Sequence, residues 1–371
     1  MSYQILVINP GSTSTKLGVF EDDTLLFSKT LRHSTEELKP YATIPDQLSF
    51  RKDVILSALQ QHDLDLSKLS AVAGRGGAVR PLASGTYRID EALLRDCMDL
   101  RLGGKHASGL GAPIAHEIAA GLDIPSFVVD PTVVDELQPA ARYSGHPLLP
   151  RHSIFHALNQ KAVAKRYAAE SGKKYEELRL IVCHMGGGIS VGAHLHGRVV
   201  DVQNSLNGDG PFSPERTGTV PAGQLAELCF SGRYTLQEVQ KLIAGRGGMV
   251  AYTGTTDMVE LTKRAKTEPE IAEIMDAFHY QIAKEIGAMA AALEGQVDAI
   301  LLTGGIAYGQ ETVEALKKRI GWIAPVVVYP GEDELLALAQ GTLRVLRGQE
   351  EAKTYQENLV HRQDLEQLEQ N

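Results

Sequence analysis

The chain has 371 residues, 43% of them apolar, and a formal net charge of −9. That length exceeds what one hydrophobic core ordinarily supports, so two domains are expected, and mild acidity without a basic run of five excludes nucleic acid as a principal partner. Three cysteines without a CxxC pair read as reduced thiols, and no apolar run reaches the ~18 residues of a membrane span, so a cytoplasmic protein with no membrane partner, acting on a small molecule, is expected.

The chain opens on a strand from Ile5 to Ile8, which runs into the small-residue turn Asn9-Pro10-Gly11-Ser12-Thr13-Ser14-Thr15-Lys16 and out into a second alternating run. A polar connection over 34–45 precedes a helix over 50–62 and a short strand, 71–73, entering Gly74-Arg75-Gly76-Gly77. Glycine-rich segments at 103–111 bracket a loop, a helix follows over 112–120, and the strand 126–129 ends on Asp130-Pro131. An unbroken helical pattern over 152–170 stops at Ser171-Gly172. Then Val182-Cys183-His184-Met185-Gly186-Gly187-Gly188-Ile189-Ser190 repeats the first hairpin; at a fixed offset Asn9 meets His184 and Gly11 meets Gly186. The stretch 204–223, holding Pro214-Glu215-Arg216, is a long loop of a functional kind. Helices are expected over 223–230, 235–244, 256–266 and 271–293, then a buried strand, 299–302, entering Thr303-Gly304-Gly305-Ile306. A helix over 311–320, a strand over 326–329 and a helix over 334–346 close the pattern, and the polar tail after Arg347 is expected to fray.

No GxxxxGK[ST] occurs and no GxGxxG opens a helix, so neither a P-loop nor a Rossmann site is supported. Three strands nevertheless end in glycine turns, at Gly11, Gly186 and Gly304. Each either presents backbone amides to phosphate or is only a tight turn; together they form the pattern of an actin-like ATPase. Other candidates carry two readings each. Arg75 and Arg216 clamp anions or sit on the surface, and Asp130 serves a site or shapes a turn before proline. His184 points at phosphate or is a satisfied core histidine, and His156, near a helix start, serves a site or bonds that start. Ser12 and Ser14 bind ligand or satisfy turn backbone.

These motifs, with Val129-Asp130-Pro131-Thr132-Val133-Val134-Asp135-Glu136, Ser153-Ile154-Phe155-His156-Ala157-Leu158-Asn159-Gln160-Lys161 and Gly210-Pro211-Phe212-Ser213-Pro214-Glu215-Arg216, resemble the acetate kinase family, most narrowly its butyrate kinase branch, over residues ~5 to ~347. The resemblance implies an α/β fold of duplicated actin-like ATPase (ribonuclease H-like) domains with a nucleotide cleft between them. Domain one would be 1–151 with 333–371, and domain two, the nucleotide-binding one, 152–332. It implies reversible ATP-dependent phosphorylation of butyrate to butyryl phosphate and ADP with Mg²⁺, or else of acetate, propionate or a branched acid, by a homo-oligomer, a dimer or larger. Arg75, Asp130, His156, His184 and Arg216 would be catalytic: the arginines clamp the anions, Asp130 orients an arginine or the metal-bound phosphate, and His184 steadies the transferring group. Asn9, Ser12, Ser14, Lys16, Gly186, Gly187, Gly188, Gly304, Gly305 and Ile306 would hold nucleotide. The metal-site acid falls within Glu332-Asp333-Glu334 and is taken as Glu334, its register open. Ala307-Tyr308-Gly309 departs from the acetate pattern and fits the butyrate branch.

Overall fold

Alternating apolar residues on either side of the Pro10–Ser14 turn produce β1 (Gln4–Pro10) and β2 (Ser14–Glu21), an antiparallel pair that β3 (Thr24–Arg32) extends. In the computed structural model residues 2–360 are described. The connection after β3 holds α1 (Thr35–Leu38) and leads to α2 (Leu48–Gln61), β4 (Leu69–Gly74), β5 (Thr86–Arg88), α3 (Glu91–Met98), α4 (Gly111–Ala120) and β6 (Ser126–Val129). The strands form one sheet in the order β3-β2-β1-β4-β6-β5, with β1, β4 and β6 parallel.

A second compact unit runs from Glu136 to Glu332. It holds α5 (Ala157–Glu170), β7 (Arg179–Met185), β8 (Ile189–Leu195), β9 (Arg198–Val202), α6 (Ala222–Cys229), α7 (Leu236–Ile243), α8 (Met249–Thr253), α9 (Met258–Arg264), α10 (Pro269–Ala292), β10 (Ala299–Gly304), α11 (Gln310–Ile320) and β11 (Val326–Pro330). Its sheet has the order β11-β10-β7-β8-β9. An antiparallel β7-β8-β9 meander beside parallel β7, β10 and β11 repeats β1-β2-β3 beside β1, β4 and β6 strand for strand. The period of two along β7 sorts its side chains: Ile181, Cys183 and Met185 join the core built on α10, whereas Leu180 and Val182 join the one built on α5.

Two segments depart from the sequence pattern. The helix expected from His152 begins at Ala157, because the preceding residues are tied elsewhere: Ser205 N donates to Ile154 O (3.1 Å) and His156 N to Ser190 Oγ (3.4 Å). Residues 136–151, expected with the first domain, group with the second unit. There Gln138 N donates to Val200 O (2.9 Å) and Arg151 pairs with Asp201 (3.0 Å).

The chain returns to the first unit at Asp333, and α12 (Glu334–Leu346) packs on β1, β4 and β6. The tail expected to fray is ordered as far as it is described: Lys353 N donates to Thr86 O (2.8 Å) and receives Arg88 N at its own carbonyl (3.0 Å). One aromatic anchors it. Tyr355 is 1% exposed, its hydroxyl donates to Asp96 Oδ2 (2.6 Å), and it accepts from Arg80 N (3.0 Å). The remainder of the tail, 361–371, lies outside the described residues. Tyr355→Phe leaves the Arg80 amide without its acceptor and Asp96 without one donor, so it should cost about 1–3 kcal/mol in urea unfolding of the full chain. An unchanged midpoint would refute the anchor.

Candidate active site

In the second unit the site grows from the alternation along β7. His184 falls on the same face as Leu180 and Val182, toward α5, and is 1% exposed. Its Nδ1 lies 2.8 Å from Asn159 Oδ1, on the first turn of α5, so Nδ1 carries a proton. Its Nε2 is buried without a well-formed hydrogen bond, 3.1 Å from a Glu332 carboxylate oxygen. A neutral ring therefore offers a lone pair at Nε2, and only the imidazolium offers a donor there. His156, the residue before α5, stacks flat on His184 with centroids 3.8 Å apart and planes at 13°.

A buried chain of hydrogen bonds fixes the His156 tautomer. Gln160 Nε2 donates to the Ser190 carbonyl (3.0 Å), which can only accept, and to Ser190 Oγ (2.8 Å). The Gln160 oxygen thus receives His194 Nε2–H (3.0 Å), and His194 Nδ1 accepts from the Tyr175 hydroxyl (2.7 Å). Burial pulls the His194 pKa well down, so this ring is neutral as the chain requires. Ser190 Oγ accepts from both Gln160 Nε2 and His156 N (3.4 Å), so its own proton goes to His156 Nδ1 (2.8 Å), which puts the ring proton of a neutral His156 on Nε2.

The three glycines after Met185 form the adjoining turn. Gly186 N donates to Gly188 O (3.0 Å), and Gly187 O accepts from Ser213 Oγ (2.7 Å). The Arg216 guanidinium fills the space a Cβ on Gly188 would need, so a side chain there would push it aside, and it donates to Ser205 O (3.0 Å). Gly304, with φ +90°, backs onto the Met185 backbone and exchanges two main-chain bonds with Gly331. Beyond it Gly305 is exposed, facing open space, and Ile306 is half-buried.

In the first unit Arg75 donates to Glu334 Oε2 (2.6 Å), Asn9 Nδ2 donates to the same oxygen (2.6 Å), and Arg75 lies 3.4 Å from Asn9 Oδ1. Asp333 caps α12, which frees Glu334 for this pairing. Lys16 is exposed opposite Asn9 across the hairpin. Ser12 Oγ is 3.4 Å from His106 Nε2, and Ser14 O accepts from Gly11 N (2.7 Å). Asp130 sits at the end of β6. Buried at φ +39°, it accepts from Ser84 Oγ (2.6 Å) and Gly85 N (2.9 Å), and among the described residues it makes no ion pair with Arg75. Asn159, Gln160 and Ser190 escaped the sequence reading, since polar residues on an amphipathic helix or at a strand start look solvent-facing.

The chain was compared with known proteins. Residues 141–322 match the profile described as the Acetokinase family. Over 356 residues, 96% of this chain and 100% of the relative, it is 59% identical to a protein named probable butyrate kinase from Clostridium botulinum. The chain belongs to the acetokinase family. It is also 56% identical over 354 residues, 95% of this chain and 99% of the relative, to a protein named butyrate kinase 1 from Clostridium acetobutylicum. Acetokinase-family structures share its fold: Porphyromonas gingivalis acetate kinase superposes with a TM-score of 0.77 at 20% identity, covering 93% of this chain and 100% of that one. A Francisella tularensis propionate kinase gives 0.74 at 17% identity, covering 91% and 98%. The duplicated sheets are accordingly those of the actin-like ATPase fold.

In this acetokinase-family chain the loop that carries Arg216 is moored by charge. Arg151 donates to Asp201 (3.0 Å) and the Ala141 carbonyl (2.8 Å), and lies 4.0 Å from Asp209, which accepts from Asn204 N (3.2 Å) and Gly210 N (3.0 Å). Burial, followed by Asp209 and Asp201, pushes the nearby Glu285 carboxyl up to about 7, with Arg151 and Lys284 opposing. The folded state thus keeps a proton that the unfolded chain releases near 4.5, and stability falls as pH rises between those values. Glu285→Gln should therefore stabilise the protein by about 1–3 kcal/mol at pH 8 and by far less at pH 4.5 in urea unfolding. An equal effect at both pH values would assign the change to packing.

Proposed function

We propose that the chain transfers the γ-phosphoryl group of ATP to butyrate, reversibly, giving butyryl phosphate and ADP. The observation that carries this reading is the 56–59% identity, over essentially the whole length of both proteins, to relatives named butyrate kinase. A carboxylate oxygen attacks the γ-phosphorus, the bond from phosphorus to the ADP oxygen breaks, and no proton has to leave the acid, which is an anion at neutral pH.

The residues are assigned accordingly. His184 steadies an oxygen of the transferring group, its imidazolium form being the one that donates from Nε2, and His156 donates from its Nε2–H. Arg216, seated on the Gly186–Gly188 turn, neutralises charge on the phosphates, and Gly304, Gly305 and Ile306 lie along the nucleotide; the second unit is in this reading the nucleotide-binding one. Arg75 clamps an anion while Asn9 and Glu334 hold its guanidinium in place, and Ser12, Ser14 and Lys16 offer donors to phosphate. Asp130 acts by shaping the Ser84–Gly85 turn rather than by touching an arginine. The donor set fits Mg²⁺ in the manner of nucleotide sites, where one or two carboxylates suffice because phosphates and waters supply the other ligands. Glu334, whose second oxygen has no hydrogen bond among the described residues, is the protein ligand; a bound Mg²⁺ would neutralise the nucleotide phosphates. A homo-oligomer and a cytoplasmic location complete the reading; among the described residues no helix is long and apolar enough to cross a membrane.

Arg75→Ala and Arg216→Ala should each lower kcat roughly 10²-fold or more, the effect of removing one donor that strengthens toward the transition state. A variant within threefold of the parent would clear that arginine of the role. Substrate choice is read by trapping the acyl phosphate as its hydroxamate across acids of two to six carbons. Each buried methylene contributes ~0.8 kcal/mol, so butyrate should exceed acetate roughly fifteenfold in kcat/KM. Acetate equal to butyrate would make the chain an acetate kinase, and ADP formation independent of any acid would overturn the carboxylate reading.

A further inference from the structure

Arg51, on α2, is 0% exposed, and the five oxygens its guanidinium reaches are all uncharged. Nη1 donates to the carbonyls of Gly11 (2.9 Å) and Ser14 (3.2 Å) and to Thr15 Oγ1 (3.1 Å). Nη2 donates to the Ser12 carbonyl (2.9 Å) and Nε to Gln47 Oε1 (3.0 Å). The side chain thus sits behind the β1–β2 turn and draws its carbonyls inward. In a trans peptide the C=O and the following N–H point in opposite directions, so seizing the carbonyls of Gly11 and Ser12 turns the amides of Ser12 and Thr13 outward. Both residues are exposed, and among the described residues neither amide has a backbone or side-chain acceptor. The thirteenth carbonyl is taken from another side, by His33 N (2.9 Å).

Charge points the same way as geometry. A buried guanidinium with no carboxylate partner among the described residues is an uncompensated cation, costly unless an anion approaches from outside. The imidazoles nearby do not share the burden: burial first, then Arg51, pulls the His33 pKa down, and burial, Arg75 and Arg51 do the same to His106. Outward amides backed by a fixed positive charge form an anion-binding concavity.

We propose that Arg51 is a positioning residue that pre-forms the Gly11–Ser14 turn for a phosphate group, carried by the nucleotide or by the acyl phosphate, and supplies the charge that favours it. The inference rests on the phosphoryl-transfer reading above for the identity of the anion. It is distinct from that reading in assigning function to a side chain that no ligand can touch.

The test compares the parent with Arg51→Gln and Arg51→Lys as full chains. In the forward direction Arg51→Gln should raise KM for ATP tenfold or more while KM for butyrate stays within twofold; in reverse, a rise in KM for ADP or for butyryl phosphate tells which phosphate the turn holds. Arg51→Lys, keeping the charge without the fork, should recover part of the loss. Thermal unfolding is followed alongside. A lowered Tm with every KM unchanged, or a proportionate rise in all of them, makes Arg51 a structural residue and overturns the proposal. If Arg51→Gln does not fold, Arg51→Lys decides: a threefold or larger rise for a phosphate-bearing substrate alone supports the proposal, and unchanged constants overturn it. ADP binding by calorimetry separates the two readings. Should the parent bind ADP yet phosphorylate no acid, the carboxylate-kinase reading fails, while weaker ADP binding by Arg51→Gln still upholds the role of Arg51 and equal binding refutes it.

Discussion

A polar atom buried at the end of a β-strand must find a partner inside the protein, and the arrangement of both units follows from how that demand is met. At the end of β7 it is met for His184 by Asn159, and at the end of β1 for Asn9 by Glu334. Both partners come from the first turn of a helix, α5 in one unit and α12 in the other. Each pairing engages one atom and leaves another available: Nε2 of His184, the second carboxylate oxygen of Glu334. The atoms proposed to act are those that remain after the interior has been satisfied.

The two sheets share topology, yet they have diverged in what supports their turns. In the first unit a guanidinium, Arg51, enters from behind and collects carbonyls. In the second, Arg216 lies against Gly188 and Ser213 secures the Gly187 carbonyl. The same backbone problem has an aliphatic stem and a fixed charge as its answer in one case, and glycine with a hydroxyl in the other. Replacing the second solution's glycine at 188 with any side chain would displace the guanidinium, so the sequence there is constrained by volume more than by backbone dihedral.

Strands that end in glycine turns were legible because period-two alternation and small residues coincide at Ile8–Asn9, Cys183–His184 and Leu302–Thr303. The repeat itself followed from matching two such stretches. The edge strand β3 was not readable, since only Leu31 among its nine residues is buried and alternation fades when neither face packs fully. Nor was Arg51: within the helical pattern of 50–62 it reads as a solvated cation, and only tertiary structure shows it at the back of a turn. The onset of α5 was misplaced because Phe155 and Leu158 keep helical spacing while hydrogen bonds to Ser190 and Ser205 hold the backbone out of it. The tail over 348–360 was misjudged for a related reason, its largely polar composition hiding the one tyrosine that pins it.

The first unit is not continuous in the chain. Glu334, which completes the pairing of Arg75 and Asn9, follows Arg75 by 259 residues and Asn9 by 325, and Lys353, which borders β5, comes later still. During synthesis the strands that begin the protein therefore emerge first but wait for the entire second unit before α12 can cover them and Arg75 can meet its carboxylate. Residues 136–332 carry a complete sheet and its own core, so they can consolidate earlier than the segment made before them. Order of translation and order of completion are reversed. An arrest or truncation short of residue 333 would thus leave Arg75 beside Asn9 with no acid to hold it, and the charge constellation of the first unit is completed only after the whole second unit has been made.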